Sequence, residues 1–236
     1  MASNQFLMTT HFESLDGGPI SQDNLTLLEL WKKSWEMRGF TCVLTDADFI
    51  QKHVHKYPIV KKFIEAVKLL PSVNKKGFDR VSFIRWAAAY ILACENDTVI
   101  CISECDVINY SLIPSDLDNL DPDNFNIADR DGCPAFVYTK RKQLYHLLIS
   151  IINHKLTEFD KHNGIPHISD QNYIAMYFRK EPMYKSVEYL LASVFKTPGW
   201  ENMKLVHYGS PFFHQKGLNP TKKSKSEYIG ELRPVI

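Results

Sequence analysis

Apolar residues along this chain recur in two patterns, short β-branched runs and longer stretches with helical spacing, which predict alternating strands and helices. Strands are predicted over 5–10 and 41–45, and the segment 24–38 between them has helical spacing. Gly39 lies where such a helix would end. The order strand, helix, strand is typical of a parallel sheet with helices on its faces. The apolar helix positions are Leu27, Leu28, Trp31 and Trp35.

The middle of the chain predicts helices followed by a buried strand. Two short helices are expected within 46–70, with a break at Pro58. The segment 78–94 is apolar around most of a helical circumference, which predicts a central buried helix. The uninterrupted β-branched run over 98–102 predicts a central parallel strand.

The C-terminal half continues this alternation. A strand is predicted over 135–138, followed by a long helix over 140–160. A further helix is expected over 169–178, and a last short strand over 204–208. Together these elements predict one α/β domain over 1–215, with a mixed, mostly parallel central sheet flanked by helices.

The composition argues against two broad functional classes. Lys plus Arg (28) nearly cancels Asp plus Glu (27), so no overall charge favours nucleic acid or a membrane surface. The first residues lack a secretory signal, and no run approaches the roughly 20 apolar residues of a membrane span. The five cysteines form no CxxC pair, which indicates reduced thiols. We therefore expect a soluble, cytoplasmic protein with no membrane span and no nucleic-acid partner.

Two carboxylates, Glu104 and Asp106, follow the buried strand predicted over 98–102. Alternation along an extended chain would point both to one side, at the carboxyl end of a strand, where open α/β sheets bind ligands. Such a pair suits a hard divalent cation that bridges the oxygens of a diphosphate. The alternative is that both side chains are solvated or cap the next turn.

Two further side chains are candidates for the same site. His207 ends the last predicted strand, and an imidazole ligand fits Mn²⁺ better than Mg²⁺; the alternative is a surface or packing histidine. Arg85 lies on the otherwise apolar helix over 78–94 and needs a partner, which a carboxylate or a phosphate can supply. A salt bridge to Glu104 or Asp106 is the competing interpretation, and it could also orient the metal ligands.

A second acidic pair, Asp46 and Asp48, also follows a predicted strand. In a haloacid-dehalogenase-type phosphatase, such an aspartate attacks phosphorus beside a magnesium ion. The favoured interpretation is structural, with Thr45 or Asp46 capping the helix that begins there.

The order of these features resembles the glycosyltransferase-A superfamily, in particular the small nucleotide-sugar enzymes with a DxD segment. The resemblance extends along nearly the whole chain in short segments. It has two departures, because Glu104 replaces the first acid of the DxD and residues 94–97 replace the usual glycine pair before that strand. The matching segments lie at 6–10, 30–40, 43–45, 78–87, 104–107, 169–171 and 205–208.

The resemblance implies a donor-binding role for five residues. Thr9 and Thr10 would lie beside the nucleotide base. Asp79 and Arg85 would contact the nucleoside or the donor's diphosphate and sugar. Glu104, one methylene longer than aspartate, would contact the sugar or reach the metal ion.

The resemblance also implies a metal site and a catalytic carboxylate. Asp106 and His207 would bind Mn²⁺ or Mg²⁺, with Glu104 as a further ligand, directly or through water. Asp170 lies in the family's DQ segment, where it would contact the acceptor or act as the general base of an inverting enzyme. A helix cap beside Ser169 is the alternative for Asp170.

The implied function is that of a metal-dependent hexosyl- or pentosyltransferase, which moves a sugar from a UDP- or GDP-sugar to a glycan or other hydroxyl acceptor. The basic tail over 216–236 would then be solvated or close over the diphosphate as a lid. One alternative is an inactive glycosyltransferase-like carbohydrate-binding or assembly module, and a third is the phosphatase that would use Asp46 and Asp48. The basic residues of the tail are Lys216, Lys222, Lys223, Lys225 and Arg233.

Overall fold

The computed structural model describes residues 6–14, 18–70, 78–130, 133–154, 169–194, 197–209, 223–233 and 235. The strands in these ranges are β1 (Leu7–His11), β2 (Thr41–Thr45), β3 (Ile100–Ser103), β4 (Val107–Asn109), β5 (Phe125–Arg130), β6 (Cys133–Thr139), β7 (Tyr184–Ser186), β8 (Leu191–Ser193) and β9 (Leu205–His207). The α-helices are α1 (Gln22–Glu36), α2 (Ala47–His53), α3 (Pro58–Lys68), α4 (Phe78–Asn96), α5 (Arg141–Asn153), α6 (Asp170–Met176) and α7 (Lys225–Leu232).

The main sheet has six strands in the order β2-β1-β3-β6-β5-β7. β1 runs parallel to β2 on one side and to β3 on the other, so that Met8 lies opposite both Cys42 and Cys101. β6 pairs antiparallel with β3 and β5, whereas β7 pairs parallel with β5. The predicted α/β fold with a mixed central sheet is therefore confirmed. The β-branched run over 98–102 overlaps β3, which pairs parallel with β1.

Helix α4 forms the centre of the core on one face of this sheet, as its apolar circumference predicts. Trp86, Ala87 and Ala88 have no exposed surface. The helix lies against β1 and β3, and α3 and α5 flank it. Full burial of a large apolar side chain contributes about 1.5–3 kcal/mol. Arg85 on this helix is also buried, and its charge therefore needs partners.

Helix α1 covers the other face of the sheet. Trp31 and Trp35 are completely buried. Their indole N–H groups donate hydrogen bonds to the two ends of the loop between β3 and β4. Trp31 Nε1 donates to Ser103 Oγ at 2.8 Å, and Trp35 Nε1 donates to the Val107 carbonyl at 3.3 Å. These two contacts hold both ends of the segment 104–106, which carries the predicted carboxylates.

A second sheet of three strands, in the order β4-β9-β8, begins where this loop ends. β9 runs antiparallel to β4, with His207 opposite Val107, and β8 runs parallel to β9. The sequence pattern predicts β9 but not β4 or β8, although all three strands have three residues. The pairing of β4 with β9 places His207 beside the loop that carries Glu104 and Asp106.

Helix α7 packs against α1, so the described part of the basic tail is a folded element. Ser226 Oγ donates to Asp23 Oδ1 at 2.7 Å, and Ile229 is completely buried. Lys216 and Lys222 lie outside the described residues, as does the end of the helix predicted over 140–160. In the described ranges, no helix has the length and apolar character needed to cross a membrane.

Candidate metal centre

The two predicted carboxylates lie in a turn between β3 and β4. The amide of Val107 donates to the Glu104 carbonyl at 3.1 Å, and the amide of Glu104 donates to the Ala135 carbonyl at 3.1 Å. The alternation along the sequence predicts an extended chain at this point. Instead, a turn brings Glu104 and Asp106 together at the carboxyl end of β3, the edge where open α/β sheets bind ligands.

Glu104, Asp106 and His207 form a compact group. The Nε2 atom of His207 lies 3.1 Å from Oε2 of Glu104 and 3.5 Å from Oδ1 of Asp106. One ligand atom from each of the three residues lies within 4.8 Å of the others. Asp106 and His207 are buried, whereas 28% of the Glu104 side chain is exposed. The structure thus brings all three predicted metal ligands to one place.

The second oxygen of each carboxylate contacts a cationic side chain from another helix. Nη1 of Arg85 on α4 lies 3.0 Å from Oε1 of Glu104, and Nζ of Lys225 on α7 lies 2.7 Å from Oδ2 of Asp106. Both carboxylates therefore present one oxygen to His207 and the other to a fixed positive charge. The predicted salt bridge between Arg85 and Glu104 is confirmed.

One buried oxygen of this group has no hydrogen-bond donor among the described residues. Oδ1 of Asp106 is buried and accepts no hydrogen bond from the described residues. Its contact with His207, at 3.5 Å, is too long for a good hydrogen bond. A buried carboxylate oxygen in this state costs free energy, which a cation bound at this position would offset.

Asp170 lies at the start of α6 and contacts Arg85. Nε and Nη2 of Arg85 lie 2.7 Å and 2.5 Å from Oδ2 of Asp170, and Trp86 Nε1 donates to the same oxygen at 3.0 Å. Ser169 is the N-cap of α6, so Asp170 is the residue after the cap. Burial raises the pKa of Asp170 against the opposing effect of Arg85. As placed, the carboxylate holds the guanidinium and is 2% exposed.

The charges of the group determine its protonation. Burial alone would raise the pKa of Glu104, but the His207 hydrogen bond and the Arg85 charge lower it to about 2. Burial likewise opposes ionisation of Asp106, but Lys225 and His207 lower its pKa well below the usual range. Both ligand carboxylates are therefore ionised at neutral pH and suited to bind a hard cation.

The predicted nucleoside contacts lie on the neighbouring elements. Thr9 and Thr10 are buried in β1. The Thr9 hydroxyl donates to the Val43 carbonyl at 2.9 Å. Asp79 is buried in the first turn of α4, the helix that carries Arg85.

Lys225 and Asp46 lie outside the predicted metal site, and the structure shows the contacts of each. The sequence predicts Lys225 only as part of a basic tail, because nothing in it links this residue to Asp106, which lies 119 positions away. Asp46 is the N-cap of α2, and its Oδ1 accepts a hydrogen bond from the Phe49 amide at 2.8 Å. The structure therefore bears out the capping interpretation of Asp46.

Comparisons with known proteins identify the fold. No protein-family model matches this chain, and no curated protein sequence matches it. The apo structure of mouse xyloside xylosyltransferase 1 is similar, with a TM-score of 0.53 and 11% identity over 88% of this chain and 98% of that chain. The apo form of the glycosyltransferase GlyE from Streptococcus pneumoniae TIGR4 has a TM-score of 0.51 and 16% identity over 88% of this chain. This chain covers 55% of GlyE. These likenesses show a glycosyltransferase-A-like fold.

Proposed function

Proceeding from this fold, we propose that the chain is a metal-dependent glycosyltransferase that takes a sugar from a nucleotide-diphosphate donor. The observation that carries the proposal is the group of Glu104, Asp106 and His207 at the carboxyl end of β3. Oδ1 of Asp106, in the middle of this group, is buried without a hydrogen-bond partner among the described residues. Such an atom favours a bound cation, because a buried acceptor without a partner is destabilising.

The donor set fits a hard divalent cation. The group offers two carboxylate oxygens and one imidazole nitrogen within 4.8 Å of one another. Carboxylates suit both Mg²⁺ and Mn²⁺, and the imidazole of His207 favours Mn²⁺. Three protein ligands leave coordination positions for diphosphate oxygens. When bound, the cation would neutralise the charge that develops on a departing nucleoside diphosphate.

The chain's own residues would supply further electrostatic stabilisation. Arg85 places a fixed positive charge beside Glu104, and Asp170 and Trp86 hold its guanidinium group. A preorganised positive charge near developing negative charge stabilises the transition state. We propose that Asp170 positions Arg85. A general base must come within hydrogen-bond distance of the acceptor hydroxyl, and the burial of Asp170 against Arg85 favours the positioning role.

The donor and the acceptor are proposed by class. Thr9, Thr10 and Asp79 are the candidate contacts for the nucleoside of a UDP- or GDP-sugar, since they lie on β1 and α4 next to the elements of the metal group. The acceptor would be a glycan or another hydroxyl compound. Because the similar mouse protein is called a xylosyltransferase, UDP-xylose belongs among the donors to test.

The test is a thermal-shift screen of UDP-, GDP-, CMP- and TDP-sugars, each with Mn²⁺, Mg²⁺ or a chelator. A ligand that binds the native state raises Tm by mass action, so we expect one donor to raise Tm only with metal. Asp106→Asn should abolish this metal-dependent shift. Asp48→Asn, which changes an exposed aspartate on α2, should retain it and is the matched control.

The other results of this screen would separate the alternatives. A metal-dependent shift that survives in Asp106→Asn would contradict the proposed site. Sugar binding without metal and without donor hydrolysis would favour an inactive carbohydrate-binding module, for which Glu104 in the first DxD position is the motivating feature. Phosphate-ester hydrolysis that is lost in Asp46→Asn would favour the phosphatase.

A further inference from the structure

The C-terminal helix α7 contributes one charged side chain to the carboxylate pair. Lys225, the first residue of α7, donates to Oδ2 of Asp106 at 2.7 Å, and its side chain is 19% exposed. The other oxygen, Oδ1, faces His207 and is the buried atom without a hydrogen-bond partner in the described ranges. Lys225 and a cation at Oδ1 can therefore contact the same carboxylate at the same time.

Helix α7 is held in place by contacts other than this ion pair. Ser226 binds Asp23 on α1, and Ile229 is completely buried. At its C-terminal end, the Tyr110 hydroxyl donates to the Arg233 carbonyl at 2.8 Å, and the Arg233 guanidinium lies 3.7 Å from the Tyr110 ring centre. Contacts other than the ion pair therefore hold the helix that places Lys225 near Asp106.

The charge of Lys225 changes the electrostatic balance of the group. The described ion pairs join three carboxylates and two permanently charged cations. Once His207 has lost its proton to bind a metal ion, these protein groups carry one net negative charge. A divalent cation would turn this into one net positive charge, which attracts the negative charges of a diphosphate. Without Lys225, a divalent cation alone would balance the group. The carboxylates are Glu104, Asp106 and Asp170, and the cations are Arg85 and Lys225.

We propose that Lys225 weakens the binding of a divalent cation alone at this site and strengthens the binding of a diphosphate to the cation-loaded site. The inference rests on the proposed function, in which Glu104, Asp106 and His207 hold the cation. The ammonium group repels the cation and attracts the diphosphate. Even with the full screening of water, charges a few ångströms apart change affinity by about tenfold, so each effect is at least of this size at this partly buried position. Helix α7 thereby takes part in donor recognition through its first residue.

The test compares Lys225→Met with the wild type in two binding measurements. The dissociation constant of Mn²⁺ alone is obtained from the electron paramagnetic resonance signal of free Mn²⁺. Those of UDP and GDP at saturating Mn²⁺ are obtained by calorimetry. Lys225→Met is expected to bind Mn²⁺ alone at least about tenfold more tightly, and whichever nucleoside diphosphate the wild type binds at least about tenfold more weakly.

Two further variants are the controls. Lys225→Arg keeps the charge and should keep both wild-type values. Lys223→Met removes a lysine that pairs with Glu231 at 2.5 Å beside the same helix, and it should also keep both values. If Lys225→Met fails to fold, as judged by circular dichroism and Tm, Lys225→Gln replaces it with the same expectations.

The outcomes distinguish the inference from the function on which it rests. If the wild type does not bind Mn²⁺, or if Asp106→Asn binds it equally well, the proposed metal site is wrong and the inference falls with it. If Asp106→Asn loses Mn²⁺ binding, the proposed metal site is supported, and the Lys225 variants then test the role of Lys225. Unchanged or weaker Mn²⁺ binding in Lys225→Met, or unchanged diphosphate binding, would overturn the inference.

Discussion

At neutral pH the imidazole of His207 carries a proton that an incoming metal ion would have to displace. Burial alone would lower its pKa, but the carboxylates of Asp106 and Glu104 raise it to about 10. A histidine binds metal in its neutral form, so each bound ion would release one proton. The same shift stabilises the metal-free folded state below the ordinary histidine pKa of about 6.5, and this contribution is lost as pH rises through about 10.

We therefore expect the affinity for Mn²⁺ to increase by about tenfold per pH unit between about pH 6.5 and about pH 8.5, because one proton leaves His207 for each ion bound. Titrations followed by electron paramagnetic resonance at several pH values measure this slope. His207→Gln should bind Mn²⁺ more weakly and with little pH dependence. His53→Gln, which changes a histidine on α2, should keep the wild-type slope. A wild-type affinity that does not vary with pH would argue against His207 as a ligand.

At the scale of elements, α1 determines where the loop of the metal centre begins. Trp31 on α1 donates its indole hydrogen to Ser103 Oγ at 2.8 Å, and both residues are buried. We expect Ser103→Ala to lower the free energy of unfolding by about 1–3 kcal/mol, because the buried indole N–H would lose its acceptor. Urea unfolding measures this loss. Ser115→Ala, which changes an exposed serine, should stay within about 0.5 kcal/mol of the wild type. An equal effect in both variants would contradict the role of this hydrogen bond.

Helices with a periodic apolar pattern and several strands could be predicted from the sequence, whereas β4, β5, β7 and β8 could not. Strand β2 lies at its predicted bounds, and α4 is buried as its apolar circumference indicates. Strands β4, β7 and β8 have three residues each, and their pairing depends on distant segments rather than on local pattern. Helix α7 was missed because its polar residues resemble a solvated tail. It is stabilised by a Ser224 capping box and by contacts with α1.

At the scale of the whole molecule, the candidate site is formed by segments that are far apart in the chain. Glu104 and Asp106 could be predicted because they directly follow a buried strand, and His207 because it ends another strand and fits the family resemblance. Their meeting depends on the pairing of β4 with β9, for which the sequence shows no local signal. Lys225 joins Asp106 only because α7 packs on α1.

The total charge of the molecule is close to neutral, but the ion-paired group at this edge of the sheet concentrates charges of both signs. Two helices on different sides of the metal group, α4 and α7, each supply one cation to one carboxylate. The architecture thus fixes one oxygen of Glu104 and one of Asp106, and it leaves the other oxygen of each toward His207. This division of oxygens is the basis for the proposed cation site.

The central claim is that Glu104, Asp106 and His207 hold a divalent cation. It is tested most directly by titrating the metal-free protein with Mn²⁺ and following the signal of free Mn²⁺ by electron paramagnetic resonance. We predict saturable binding of one Mn²⁺ per chain in the wild type and in Asp48→Asn, and loss of this binding in Asp106→Asn. Absence of saturable binding in the wild type, or undiminished binding in Asp106→Asn, would contradict the claim.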